Sequence, residues 1–173
     1  MAKPITYVYM CGSIFKTFYM AKYIEIEEEH INYPIGSDVE SVKKITQSYK
    51  RGFKSLKYPK GSKFNLWCRG NSGSMLAIAF ALLLPQYRWE IFHVKKPGEE
   101  SHSSYLCPKD GDNVVIDDFI SSGETVEAIL EKIDSYSKTP KILIVMGMSH
   151  YKEFSEIFET IICSNPPKNK DDE

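Results

Sequence analysis

From residue 64 onward the chain alternates between short runs suited to strands and longer runs suited to helices, and this rhythm limits the folds open to it. FNLWC (64–68) is followed by the small, polar RGNSG (69–73) and the apolar SMLAIAFALLL (74–84), then WEIFHV (89–94). After a long polar stretch through about 112 come NVVID (113–117), a second small-residue loop and TVEAILEKIDSY (125–136). KILIVMGM (141–148), a short helical stretch near 152–158 and ETIICS (159–164) complete the series. Strands alternating with helices predict an α/β fold, a mainly parallel central sheet with helices on both faces. Ligands in such folds gather beyond the carboxyl ends of the strands, where both glycine-containing loops fall.

The region before residue 64 is less regular. ITYVYM (5–10) and YIEIEEE (23–29) read as strands, the second with clean alternation. Ser37 and Glu40 have capping-box spacing, and Val39, Val42, Ile45, Tyr49 and Phe53 recur at helical intervals, which predicts an amphipathic helix over about 38–55. The basic run Lys54 to Lys63 reads as a connection; with Tyr49, Lys50 and Arg51 it also offers an RNA-facing patch, against which stands a plain solvated helix face. All of 1–173 reads as a single domain, with 1–36 as a small N-terminal hood-like region and 165–173 as a flexible tail.

Charge and cysteine content narrow the setting. Twenty-two basic against 23 acidic side chains leave no global field to recruit nucleic acid or an anionic membrane. The longest apolar stretch, around 75–84, is too short to span a bilayer. Cys11, Cys68, Cys107 and Cys163 are scattered without metal-ligand spacing and no signal-peptide layout is present, so the reading is a reduced, cytoplasmic protein with free thiols.

The most chemically specific stretch is VVIDDFISSGET (114–125). An apolar strand delivers Asp117 and Asp118 into a hydroxyl-rich loop that opens a helix at about Thr125. Backbone N–H groups at a helix start can hold a phosphate, Ser121, Ser122 and Thr125 can donate hydroxyls, and Gly123 permits close approach. The carboxylates suit sugar hydroxyls or a metal. The bland reading is a helix cap, since Ser121 and Glu124 also have capping-box spacing; for 69–73 it is an ordinary turn capped by Ser72 or Ser74.

The order of strand, two acids, two apolar residues, hydroxyl, hydroxyl, glycine, a variable residue and threonine resembles the phosphoribosyl pyrophosphate (PRPP) motif of the type I phosphoribosyltransferases. The likeness extends over about 64–148 and is strongest at 114–125. It implies that Asp117 and Asp118 face the ribose hydroxyls, with Mg2+ held there directly or through the substrate. Ser121, Ser122, Gly123, Glu124 and Thr125 would wrap the 5-phosphate, while Arg69, Gly70, Asn71, Ser72 and Gly73 form the pyrophosphate loop. Lys96 would join Asp117 and Asp118 as a catalytic group by meeting the pyrophosphate, its plain alternative being a solvated lysine. The stretch 97–112 stands where the family carries a mobile loop; Lys95 with Lys96, and Ser104 with Tyr105, echo short pairs of two of its branches. His102 is a proton-donor candidate or simply an exposed histidine.

One position departs from the family, and another separates its branches, since orotate-like and adenine-like enzymes tolerate a small residue at the place of Ser121. Glu124 puts a carboxylate where a small or hydroxyl residue, or lysine, is usual. Ser121 replaces the aspartate found in enzymes acting on 6-oxopurines, which disfavours those acceptors. The N-terminal aromatics Tyr7, Tyr9, Phe15, Phe18, Tyr19 and Tyr23 could stack on a base or simply fill a core or subunit interface. The expected reaction is transfer of the 5-phosphoribosyl group from PRPP to a small-molecule base with release of pyrophosphate, by a homodimer with no membrane or nucleic-acid partner. The alternative is a non-catalytic PRPP- or nucleotide-binding regulatory or structural protein on the same fold.

Overall fold

The computed structural model describes residues 20–28, 35, 38–96, 98, 107–149 and 151–166. Its strands are β1 (Lys22–Glu25), β2 (Lys63–Cys68), β3 (Arg88–His93), β4 (Asp112–Ile116), β5 (Phe119–Ile120), β6 (Pro140–Ile144), β7 (Gly147–Met148) and β8 (Thr160–Cys163). The helices are α1 (Val39–Lys54), α2 (Gly70–Leu82), α3 (Glu124–Ser135) and α4 (Tyr151–Ser155). Six strands form a parallel sheet in the order β1-β8-β6-β4-β2-β3, and β5 pairs with β7 in a separate two-stranded parallel ribbon.

The order sets the place of any ligand. The chain runs outward from β2 to β3, returns to lay β4 on the other side of β2, and then proceeds through β6 and β8. The direction of winding reverses between β2 and β4, so the connections leaving their carboxyl ends diverge and leave a crevice. Those connections are the two loops singled out in the sequence.

Period-two alternation sorts the sheet residues between two cores. Phe64, Leu66 and Cys68 of β2, with Val114 and Ile116 of β4, pack on the α1 and α2 side. Trp67, Val115, Leu143 and Ile161 pack on the side of α3, which contributes Val126, Ile129 and Ile133. In α1, Val42, Ile45, Tyr49 and Phe53 are buried at the predicted helical spacing. Phe53 lies 5.3 Å from the Phe64 ring and 5.5 Å from that of Phe80, which ties α1 to β2 and α2 through an aromatic cluster. Asn65 and Asn113 are the buried polar exceptions in mid-sheet. Asn113 Oδ1 accepts from Asn65 Nδ2 (3.2 Å) and Trp67 Nε1 (3.0 Å), and its own Nδ2 donates to the Thr139 carbonyl (3.0 Å).

The expected α/β class and sheet are observed, with local differences. The strand expected over 23–29 is β1, Lys22–Glu25, at the edge of the sheet. Asp38 caps α1 by accepting from the Glu40 N–H at 3.2 Å, while Ser37, the expected cap, lies outside the described residues. KILIVMGM is two strands, because beyond Ile144 the chain leaves β4 and pairs with β5. The strand at 5–10, the aromatics Tyr7 to Tyr19, and His102, Ser104 and Tyr105 also lie outside the described residues.

Candidate functional site

RGNSG was read as a loop, but α2 begins at Gly70, so the segment is largely the helix's first turn. Arg69 occupies the N-cap position in extended backbone and provides no side-chain cap. Ser74, a candidate cap, donates instead to the Gly70 carbonyl at 2.7 Å. The first-turn N–H groups are thus not closed off by a side chain, the condition in which a helix start attracts an anion. Gly70 has φ +73°, a left-handed conformation that glycine adopts without penalty. The Lys96 ammonium lies beside it, 3.3 Å from where a Gly70 Cβ would be. Arg69 Nε is buried and has no hydrogen-bond partner among the described residues, an unmet donor at the same helix start.

The second loop has a matching design. Gly123, at φ +88°, is the N-cap residue of α3 and likewise supplies no side-chain cap; Ser122 Oγ accepts only a long contact from the Glu124 N–H, at 3.5 Å. A Cβ on Gly123 would only touch the Phe154 ring, at 3.4 Å, so it is the left-handed conformation rather than space that calls for glycine. Ser121, Ser122 and Glu124 are exposed and Thr125 is half-buried in the first turn. The capping-box reading of Ser121 and Glu124 is therefore not what the helix start uses. The loop's course is fixed from behind: Ser149 Oγ donates to the carbonyls of Ile120 (3.1 Å) and Ser121 (2.9 Å), and Met146 N–H donates to the Asp118 carbonyl (2.8 Å).

Asp117 and Asp118 sit between the two helix starts, only 7% and 8% exposed. Asp117 Oδ1 accepts from the Asp118 N–H at 2.9 Å, and Asp118 Oδ1 from the Phe119 N–H at 2.8 Å. Asp117 Oδ1 also lies 3.7 Å from where a Gly73 Cβ would be, so the two loops meet at this carboxylate. Burial, then the neighbouring charge of Asp118, pushes the Asp117 carboxyl up to about 8, with Lys96 opposing the shift. Cys68, beneath the first loop, is pushed up to about 11 chiefly by burial and is a packing thiol rather than a nucleophile.

Set against solved structures, the chain is similar to adenine phosphoribosyltransferase from Thermoanaerobacter pseudethanolicus, with TM-score 0.52 and 18% identity over 80% of this chain and 93% of that one. It is similar also to adenine phosphoribosyltransferase from Saccharomyces cerevisiae, with TM-score 0.51 and 14% identity over 68% and 76% of the two chains. The fold is that of the type I phosphoribosyltransferases. The yeast structure is a complex with D-2,5-dideoxy-2,5-imino-altritol 1,6-bisphosphate and adenine. No family model matches the sequence, and no curated protein does.

On this phosphoribosyltransferase-like fold, Arg69, Gly70, Asn71, Ser72 and Gly73 occupy one rim of the crevice and Ser121 to Thr125 the other, with the acid pair between. Among the described residues, no three His, Cys, Asp or Glu side chains gather to hold a metal unaided. Two adjacent carboxylates nevertheless fit magnesium, which takes one or two of them together with substrate oxygens and water. Two surface depressions, of about 370 and 220 Å3, lie instead near the amino ends of β2 and β4, around Lys63 and Asp110. Their linings mix basic and acidic side chains; phosphate recognition at open helix starts requires no enclosed cavity. Sequence reasoning missed Tyr49 and Ser149, whose partners lie 68 to 69 and 28 to 29 residues away. No local pattern announces either contact. Among the described residues no helix is long and apolar enough to cross a membrane.

Proposed function

We propose that this chain is a phosphoribosyltransferase that transfers the 5-phosphoribosyl group of PRPP to a nitrogenous base other than a 6-oxopurine. The observation that carries the reading is the pairing, across one switch point, of two helix starts whose N-cap residues supply no side-chain cap, with a buried acid pair between them. Two anion sites flanking a carboxylate pair match a substrate with phosphate at one end, pyrophosphate at the other and a diol between.

In this reading the α3 start and the hydroxyls of Ser121, Ser122 and Thr125 bind the 5-phosphate. The α2 start, Arg69 and Lys96 bind the pyrophosphate. A base nitrogen attacks C1 as the bond to the pyrophosphate oxygen breaks, with inversion, and the electron pair leaves on the pyrophosphate. Fixing both ends of the substrate directs C1 toward the base, and the acid pair supplies negative potential beside the cationic sugar of the transition state. Asp117 and Asp118 would hold magnesium, directly or through ribose hydroxyls; when bound it supplies positive charge that stabilises the leaving group. The reading includes a single domain acting as a cytoplasmic homodimer, without a membrane or nucleic-acid partner.

Glu124 and Glu127 in the first turn of α3 favour a second reading, a PRPP or nucleotide sensor, because two carboxylates there weaken phosphate binding. Pyrophosphate release measured with PRPP, magnesium and a panel of bases separates the two. Base-dependent release is expected for the transferase. Binding without base-dependent release would point to the sensor.

A further inference from the structure

Tyr49 lies on α1, remote in sequence from either loop, and its side chain is fully buried. Its hydroxyl donates to the Asp117 carbonyl at 2.6 Å and lies 3.4 Å from the Asp118 carbonyl. The peptides bearing those carbonyls are the same ones whose N–H groups donate to the acid pair: Asp118 N–H to Asp117 Oδ1 and Phe119 N–H to Asp118 Oδ1. A peptide is rigid and planar, so fixing its carbonyl also fixes the direction of its N–H. A hydrogen bond accepted at the oxygen further strengthens the donor at the nitrogen of that peptide.

We propose that Tyr49 is a positioning residue that sets the orientation of the Asp117 carboxylate through its own backbone, while the Met146 N–H, at 2.8 Å, holds the Asp118 carbonyl beside it. Its height over the loop comes from helix-on-sheet packing: a Cβ on Gly52 would come within 2.7 Å of the Cγ2 atoms of Ile26 and Ile162, so α1 sits as low on the sheet as glycine allows. The hydroxyl thereby ties the acid pair to the core. Two adjacent, mutually repelling carboxylates need such an external reference to keep one arrangement. The catalytic part of this inference rests on the transferase reading; the hydrogen-bond relay does not.

The test is Tyr49→Phe, which keeps the ring and removes the hydroxyl, beside Ile45→Val on the same buried face of α1 as a packing control. Wild-type NMR should show a Tyr49 hydroxyl proton protected from solvent exchange. In Tyr49→Phe the amide proton of Asp118 should move upfield as its bond to the Asp117 carboxylate weakens, with a smaller change at Phe119, while Ile45→Val leaves both in place. With magnesium, PRPP and the accepted base, kcat in Tyr49→Phe should fall about tenfold or more from lost alignment, with KM for the base within about twofold. Ile45→Val should keep wild-type kcat. Unchanged amide shifts, a freely exchanging hydroxyl in the wild type, or equal kcat loss in both variants would overturn the proposal. A wild type without turnover would instead strike the transferase reading, leaving the amide shifts to decide the relay.

Discussion

Replacing Asp117 by asparagine should make the metal-free protein more stable at mildly alkaline pH while removing a group needed for binding. Asparagine keeps an oxygen to accept the Asp118 N–H, so the local geometry survives and only the charge is lost. In the folded chain, burial and the Asp118 charge raise the Asp117 carboxyl from 3.8 to about 8. A carboxyl raised on folding favours the native state while it is protonated. Its contribution is fully present below about pH 4, declines as pH rises, and is gone above about pH 8. The full shift corresponds to about 6 kcal/mol at 1.36 kcal/mol per pH unit. Rotation of the side chain toward water would relieve part of this; if half survives, about 3 kcal/mol remains, or about 5–10 °C in Tm for a chain of this length. Thermal unfolding with chelator at intervals between pH 4 and 9 provides the assay. The Asp117→Asn curve should lie progressively above wild type as pH rises, with the gap levelling above about pH 8. Parallel curves across the range would show that Asp117 carries no burial penalty and refute the reasoning.

Glu124→Gln removes a negative charge from the start of α3 and should tighten PRPP binding by about two- to fivefold at low salt, with the gain shrinking in added salt; calorimetry at two ionic strengths checks this, and no gain would mean that the phosphate does not bind at that helix start. Asn113→Leu strands the Trp67 Nε1 donor and the Thr139 carbonyl, while Asn65 Nδ2 keeps its bond to the Lys109 carbonyl, so urea unfolding should show a loss of about 2–4 kcal/mol. PRPP affinity should be unchanged in that variant, because Asn113 lies at the amino end of β4, away from the two loops.

The parts of the fold legible in the sequence are those with a strong local signal. Residues 64 to 68 and 113 to 117 read as strands that deliver loops, and Val42, Ile45, Tyr49 and Phe53 announce their helix by spacing. RGNSG misled because small polar residues at a helix start look like a loop when no side chain caps the turn. KILIVMGM concealed its break because an unbroken apolar run does not reveal that Ile144 pairs with β4 while Gly147 pairs with β5. Tyr49 reads correctly as a buried helix position, yet its hydroxyl's targets become adjacent only after α1 packs on the sheet. The positions of Asp117, Asp118 and the two loops in chain order were legible; the contact between Gly73 and Asp117, and the closeness of Lys96 to Gly70, required the three-dimensional arrangement.

The central claim is that the crevice between β2 and β4 holds PRPP through the acid pair. Calorimetric titration of magnesium and PRPP into the wild type and into Asp117→Asn/Asp118→Asn tests it most directly, with circular dichroism confirming that the variant folds. The account predicts magnesium-dependent PRPP binding to the wild type and none to the folded double variant. Equal PRPP affinity in the two proteins would contradict it.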